Sequence, residues 1–342
     1  MLDILSMNQS EISGLMTELN QPAYRAKQVF EWLHKRGVGA FAQMENLPKA
    51  LRAELEGRCA ISTVEIIETH ISKRDDTAKF LTRLSGGELS PAFVESVKMS
   101  YKHGKSLCIS TQAGCRMGCT FCQSAVGFQR NLTAGEYCAQ VYNATPVSNI
   151  VLMGCGEPLD NFPATLRFIE LITHPDGMNI GQRHITLSTC GLVPEIYELA
   201  ERRLQITLAV SLHAPTDEMR QRLMPIAKKH PLCELLPACR HYAEKTGRRI
   251  TFEYALIQGQ NDGAKNAKAL AKLLEKMLCH VNLIPLNKAR GNYTPATRRE
   301  AEIFAAILRE NGVSATLRRS MGGDIAAACG QLRAGREVEV RS

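Results

Sequence analysis

The chain has 342 residues and a formal charge of +8, enough for a large core and a smaller second unit, with a surplus of positive charge that suits a polyanion such as nucleic acid. No run nears the ~18 apolar residues of a membrane span, and Met1-Leu-Asp-Ile-Leu-Ser lacks the basic start and apolar core of a secretory leader, so the expectation is a cytoplasmic protein with no membrane association. Twelve cysteines in such a chain argue for metal binding or catalysis before a disulfide scaffold; Cys59, Cys138, Cys233, Cys239 and Cys279, each isolated, read as small core hydrophobes.

Residues 1 to 57 read as a helical accessory domain. Ala23 to Lys35 is amphipathic, with Val29, Phe30, Trp32 and Leu33 opposite Arg25, Lys27, Lys35 and Arg36. Pro48 opens a second helix that Gly57 closes. This module either packs or touches RNA; the residues alone favour neither. Residues 58 to 100 change character: the runs from Ile61, Ala78 and Ala92 alternate like strands, with a Gly86-Gly87 turn, and predict a small antiparallel β linker.

From residue 101 to 333 the pattern becomes strand then helix. Strands are predicted at 107–110, 149–153, 184–188, 206–212, 250–257 and 281–286. Helices are predicted at 134–142, 164–172, 194–202, 232–246, 264–277 and 297–310, then a last short strand at 315–318 and a tail at 334–342. Alternating units mean a parallel sheet with helices, and six of them fit a partial (β/α)6 barrel of the TIM type, an α/β fold. An open doubly wound sheet is the alternative, but the glycine fingerprint expected after its first strand is absent.

Directly after the first of these strands stands Cys115-Arg-Met-Gly-Cys119-Thr-Phe-Cys122. Three thiolates this close hold one metal centre and leave a coordination position open, whereas structural zinc takes four ligands. A zinc knuckle, or three unrelated core cysteines, is the competing reading. After the second strand comes Gly154-Cys-Gly-Glu157-Pro, where glycines let backbone approach a ligand and Glu157 can meet an ammonium group. Ser188, Ser211, Leu212, His213 and Asn287 follow later strands, at the end of a barrel where active sites form. Singly, each is a satisfied turn in most proteins. Cys108 and Cys329 are two further cysteines, read either as buried hydrophobes or as a nucleophile and a resolving thiol that meet at the barrel mouth.

The triad, with an aromatic before its last cysteine, resembles the radical SAM signature, SAM being S-adenosylmethionine. Other stretches extend the likeness over almost the whole chain: Gln21-Pro-Ala-Tyr-Arg-Ala-Lys-Gln-Val-Phe-Glu-Trp-Leu, Cys108-Ile-Ser-Thr-Gln-Ala-Gly-Cys115, Gly127-Phe-Gln-Arg-Asn-Leu132, Gly156-Glu-Pro-Leu, Leu208-Ala-Val-Ser-Leu-His-Ala-Pro, Asn282-Leu-Ile-Pro-Leu-Asn287 and Ala328-Cys-Gly-Gln-Leu332. Together they resemble the Cfr/RlmN family of radical SAM RNA methyltransferases, and the RlmN-type members more than the Cfr-type. The resemblance implies one 4Fe–4S cluster on Cys115, Cys119 and Cys122 with S-adenosylmethionine at its fourth iron. It implies contacts to that ligand from Gly156, Glu157, Ser188, Ser211, Leu212, His213 and Asn287.

It further implies that Cys329 carries a methyl group, that Cys108 resolves the adduct through a transient disulfide bond, and that Glu95 is the general base. The implied substrates are carbon 2 of an adenine in 23S rRNA and of an adenine beside the tRNA anticodon; Cfr-type enzymes use carbon 8 of the rRNA adenine. An electron donor such as flavodoxin is implied, and a monomer is expected. The chain departs from the family pattern at Cys155, Cys190 and Ala326.

Overall fold

The protein is described from a computed structural model, which covers residues 1–85, 89–102, 104–125, 127–286, 291–319, 321–328 and 330–332. The turn expected at Gly86-Gly87, Asn287, Cys329 and the tail 334–342 lie outside the described residues.

The first segment forms β1 (Leu2–Asp3), α1 (Gln9–Glu18), α2 (Tyr24–His34) and α3 (Lys49–Arg58), closed by β2 (Cys59–Ala60), which pairs in parallel with β1. Asn8 starts α1 through a capping box with Glu11. Helix α2 buries Ala26, Val29, Phe30, Leu33 and His34, the stripe expected from its period. Trp32 is only half-buried, its indole donating to Asn46 while Arg36 stacks 4.0 Å over the ring. Helix α3 runs one residue past Gly57, to Arg58, and the chain then pairs as β2 with β1.

Next come β3 (Thr63–Ile71), β4 (Ala78–Ser85), β5 (Ala92–Tyr101) and β6 (Gly104–Cys108), an antiparallel meander. It is continuous with the barrel, because β6 pairs antiparallel with β5 on one side and parallel with β9 (Asn149–Leu152) on the other. Between these lie the short β7 (Gln112–Ala113) and β8 (Arg130–Asn131), which pair antiparallel, and α4 (Ala134–Asn143).

The chain then alternates: α5 (Phe162–Thr173), β10 (Ile185–Thr189), α6 (Val193–Glu201), β11 (Thr207–Ser211), α7 (Asp217–Leu223), α8 (Leu232–Thr246), β12 (Ile250–Leu256), α9 (Ala264–Leu273), β13 (Cys279–Pro285), α10 (Arg298–Glu310) and β14 (Ala315–Leu317). Strands β6, β9, β10, β11, β12, β13 and β14 pair in parallel in that order, and β14 and β3 lie at opposite ends of one ten-stranded sheet. The fold is the expected partial (β/α)6 barrel of α/β class. Helix α9 stops four residues before the sequence suggests, since the stretch after Leu273 turns toward β13.

Capping boxes at Thr133/Glu136 and Thr297/Glu300 start α4 and α10, and Gly247 at φ +66° ends α8. One apolar core runs from Ile4 to Ala315, so the N-terminal helices share it with the barrel. Asp3 and Ser6 reach α4 directly: Thr133 Oγ1 donates to Asp3 at 2.9 Å and the Gly135 amide to Ser6 at 2.8 Å. A Cβ on Gly135 would come 2.6 Å from the Asp3 carboxylate, which would have to shift to admit it. Cys233 is exposed and Cys279 half-buried, against the expectation of core cysteines; Cys59, Cys138 and Cys239 are buried.

Candidate active site

The loop after β6 must leave the sheet, expose three thiols and return to start α4. Gly114, at φ +84°, permits the crossing: a Cβ there would lie 2.4 Å from the Phe128 Cα of the returning segment. Gln129 N donates to Ala113 O and Leu132 N to Thr111 O, which close the loop on itself. Within it, Cys122 N donates to Cys119 O at 3.2 Å and Thr120 N reaches across to Leu223 O at 3.0 Å. Arg116 stacks 3.9 Å over Phe128 and pairs with Asp160 at 3.6 Å. These contacts place Cys115, Cys119 and Cys122 on the wall of one cavity of about 160 Å³.

The same cavity is lined by Gly156, Glu157, Ser188, Ser211 and His213, so five of the residues expected at strand ends come together there. Leu212 does not line it; that side chain is fully buried, with its amide donating to Glu253 O at 3.0 Å. Gly154 and Gly156 have a role beyond ligand approach. A Cβ on Gly154 would meet Ile109 O at 2.6 Å, and one on Gly156 (φ +110°) would meet Thr111 Oγ1 at 2.6 Å, so both glycines let the turn lie against the backbone after β6.

Glu157 is buried, and its oxygens accept from Leu159 N at 3.0 Å and Cys190 N at 2.7 Å. Burial raises its pKa above the usual carboxylate range, opposed by those backbone donors. His213 sits at φ +57°, and its Nδ1 accepts from Ala255 N at 3.0 Å, which leaves the ring proton on Nε2. Burial, helped by Arg220, pushes its pKa down to about 3, so the ring is neutral. Phe121, between the second and third cysteines, packs edge-on to it at 5.0 Å.

Burial pushes the Cys115 thiol up and takes Cys119 to about 12. Thiols so placed ionise only against a compensating cation, so their chemistry fits a metal centre. A 4Fe–4S cluster gives each thiolate its own iron, and three thiols spread around one cavity fit that demand.

A second, smaller cavity adjoins the first and is lined by Val97, Cys108, Met99, Ala327 and Ala328. Met153, Ile284 and Arg318 line both. Cys108, at the end of β6, is buried, and no disulfide is present among the described residues. Glu95 on β5 forms an ion pair with Lys79 of β4 at 3.1 Å, both side chains about a tenth exposed (12% and 10%).

Four site features escaped the sequence reading. Glu253 of β12 lines the larger cavity, is held by Asn282 Nδ2 at 2.9 and 3.2 Å, and is pushed up in pKa by burial against the pull of Arg318. A carboxylate inside the largely apolar run Ile250–Leu256 was the available signal. Arg220 is fully buried and donates to the carbonyls of Cys190 (2.6 Å) and His230 (3.1 Å), with a longer contact to Ser211 O (3.4 Å). It supports the turns after β10 and β11 from behind. Lys79 and Arg318 complete the set, and for these three the sequence holds no signal.

Residues 109–271 match the family model of the radical SAM superfamily, and residues 2–61 that of the ribosomal RNA large subunit methyltransferase N-terminal domain. The chain is 50% identical to a probable dual-specificity RNA methyltransferase RlmN of Clostridium perfringens (strain 13 / Type A), over 97% of each chain. It is 51% identical to a relative of the same description from Clostridium botulinum (strain Alaska E43 / Type E3), over 97% of this chain and 96% of that one. A radical SAM methyltransferase from Sphaerobacter thermophilus, solved as a crystal structure, matches with a TM-score of 0.92 at 41% identity, covering 97% of this chain and 99% of that chain.

Proposed function

The chain belongs to the RlmN family of radical SAM RNA methyltransferases, and from that premise we propose that it methylates carbon 2 of an adenine in 23S rRNA, and of an adenine beside the tRNA anticodon, through S-methylated Cys329. One observation carries the reading. Ala328 lines the cavity that contains Cys108, and Gly330 lines the cavity that contains the three cysteines. The residues on either side of Cys329 in the sequence therefore belong to two adjoining chambers, as a group shuttled between a methyl source and a resolving thiol requires.

The chemistry explains why two chambers are needed. Carbon 2 of adenine is electron-poor and cannot attack an ordinary methyl donor, so a carrier and a one-electron route are required. A 4Fe–4S cluster with S-adenosylmethionine on its open iron supplies that one-electron chemistry when bound. In this reading Cys115, Cys119 and Cys122 hold it. Glu157 takes the ligand's ammonium while its backbone donors keep it oriented, and Ser188 and Ser211 offer hydroxyls to the ribose or carboxylate. Gly156 presents backbone, neutral His213 contributes an uncharged wall, and Leu212 supports it from the core. Asn287 is carried over from the family motif.

Cys329 takes the methyl group on its sulfur. The methyl carbon gives up a hydrogen atom to that one-electron chemistry and joins carbon 2. The adduct then gives up one electron, and Glu95 accepts the proton leaving carbon 2. Cys108 attacks the Cys329 sulfur, breaking its bond to the methylene, which takes up a proton to become the product methyl group. The product leaves as a disulfide forms between the two, and a low-potential donor such as flavodoxin supplies electrons.

The test is nucleoside mass spectrometry on unmodified 23S rRNA and tRNA treated with the anaerobically reconstituted protein, S-adenosylmethionine and reductant. 2-Methyladenosine is expected. 8-Methyladenosine would overturn the carbon assignment, and cleavage of S-adenosylmethionine with no methylated adenine would overturn the RNA assignment.

A further inference from the structure

Among the described residues on either side of Cys329, 321–328 and 330–332, the regular structure is a short 3-10 turn over Gly323–Ile325. Its place is set by the tip of the β3–β4 hairpin. Asp75 Oδ2 accepts from the Gly322 amide at 2.9 Å, while Asp75 Oδ1 accepts from Thr77 N at 3.2 Å within its own turn. The exchange is returned: Asp324 accepts from Ser72 Oγ at 2.8 Å and from Lys73 N at 3.1 Å, bridging 252 positions in sequence.

The two pieces also touch. A Cβ on Gly322 would come 2.9 Å from Thr77 and 2.7 Å from Ala327. Ala326 is held at φ +50°, a conformation that alanine adopts only where its surroundings impose it. Its carbonyl accepts from Lys79 Nζ at 3.4 Å, the same ammonium that stands 3.1 Å from Glu95. Beyond residue 329, Gly330 O accepts from Gln123 N at 2.9 Å and Leu332 O from Ser124 Oγ at 2.7 Å.

We propose that the β3–β4 hairpin tip is a positioning device for the carrier cysteine, in which Asp75, Ser72 and Asp324 clamp the segment bearing Cys329 against the two cavities and Lys79 ties that clamp to Glu95. The inference rests on the reading of Cys329 as methyl carrier. Such a carrier must meet a methyl donor, an adenine and a resolving thiol in turn, and small misplacements of a reacting atom are costly. These are positioning residues, since none of them touches a reacting atom.

A loosened clamp separates the two halves of the reaction. S-Adenosylmethionine is still cleaved, but fewer cleavages end in a methylated adenine. The test uses the full cluster-loaded chain with Asp75→Ala, Asp324→Ala and the conservative Asp75→Asn, which keeps one acceptor for the two amides of Gly322 and Thr77. Asp324 is exposed and Asp75 half-buried, so neither truncation opens the core.

Two readings are taken beside the melting temperature: hydrogen exchange over residues 321–332, and 5′-deoxyadenosine formed per methylated adenine. The alanine variants are expected to exchange this segment at least tenfold faster, with β10 to β12 unchanged, and to raise the ratio at least tenfold. Asp75→Asn, whose NH2 must face either the Gly322 or the Thr77 amide, falls between wild type and Asp75→Ala in both. Unchanged exchange would overturn the clamp, and faster exchange with a wild-type ratio would overturn its role in positioning. Exchange needs no RNA, so it decides the clamp even where the wild-type chain methylates nothing, a result that would instead overturn the proposed function.

Discussion

Replacing Glu157 with glutamine separates what the carboxylate does for the fold from what it does for a ligand. Both of its oxygens are committed, to Leu159 N at 3.0 Å and Cys190 N at 2.7 Å. A glutamine must turn its NH2 toward one of these amides, and a buried donor left without an acceptor costs about 1–3 kcal/mol. Part of that is recovered, because burial already works against the ionised carboxylate and the neutral amide escapes this penalty. The net stability loss should be roughly 0–2 kcal/mol. Binding changes for another reason. A charge-assisted hydrogen bond to an ammonium is worth about 1.5–3 kcal/mol, which corresponds to roughly 10- to 150-fold in affinity. Equilibrium dialysis with S-adenosylmethionine on the anaerobically reconstituted protein, with a thermal melt in parallel, reads both effects. A variant that melts lower but binds with wild-type affinity would refute the reasoning, since Glu157 would then only pin the turn.

Three further outcomes follow from the same geometry. Gly156→Ala combines a positive φ with a Cβ 2.6 Å from Thr111 Oγ1; strain and overpacking together should cost about 2–6 kcal/mol, and a denaturation midpoint equal to wild type would show that the turn has slack. Arg220→Met leaves the Cys190 and His230 carbonyls without their donor. Partly offset by removal of a buried charge, the loss should be about 2–4 kcal/mol in urea unfolding, and a neutral result would mean that water replaces the guanidinium. His34 is buried where α2 meets α4, beside Tyr142 Oη at 2.7 Å, and burial with the nearby His174 lowers its pKa from 6.5 to about 3. The sign follows from the unfolded chain, which takes up a proton that the fold refuses: the stability is complete above pH 6.5 and is lost as pH falls toward 3. By pH 5 the loss is about 2 kcal/mol. His34→Gln should flatten that part of the stability–pH curve, and parallel curves for the two proteins would assign the loss to other groups.

The sequence by itself determined whatever contiguous residues carry. Three cysteines within eight residues stay together in any surroundings, because the loop joining them is too short to separate them. Helices α4 and α10 were legible from their local pattern, and the structure shows each started by a cap and partner three residues apart, Thr133 with Glu136 and Thr297 with Glu300. Alternating strands and helices implied a parallel sheet because crossover geometry leaves few options.

Tertiary structure decided the rest. Pairing of β6 with both β5 and β9 joins the antiparallel meander to the barrel, and no property of either run announces that partner. The glycines before Glu157 read as open backbone for a ligand, yet they also serve packing against a strand end some 45 residues earlier. Lys79, Arg220 and the pairing of Asp75 with Gly322 were invisible, since a charged or turn residue becomes a site residue only through what lies opposite it. Local chemistry and periodicity are written along the chain, whereas contacts between residues hundreds of positions apart exist only once the sheet has paired and the loops have docked on it.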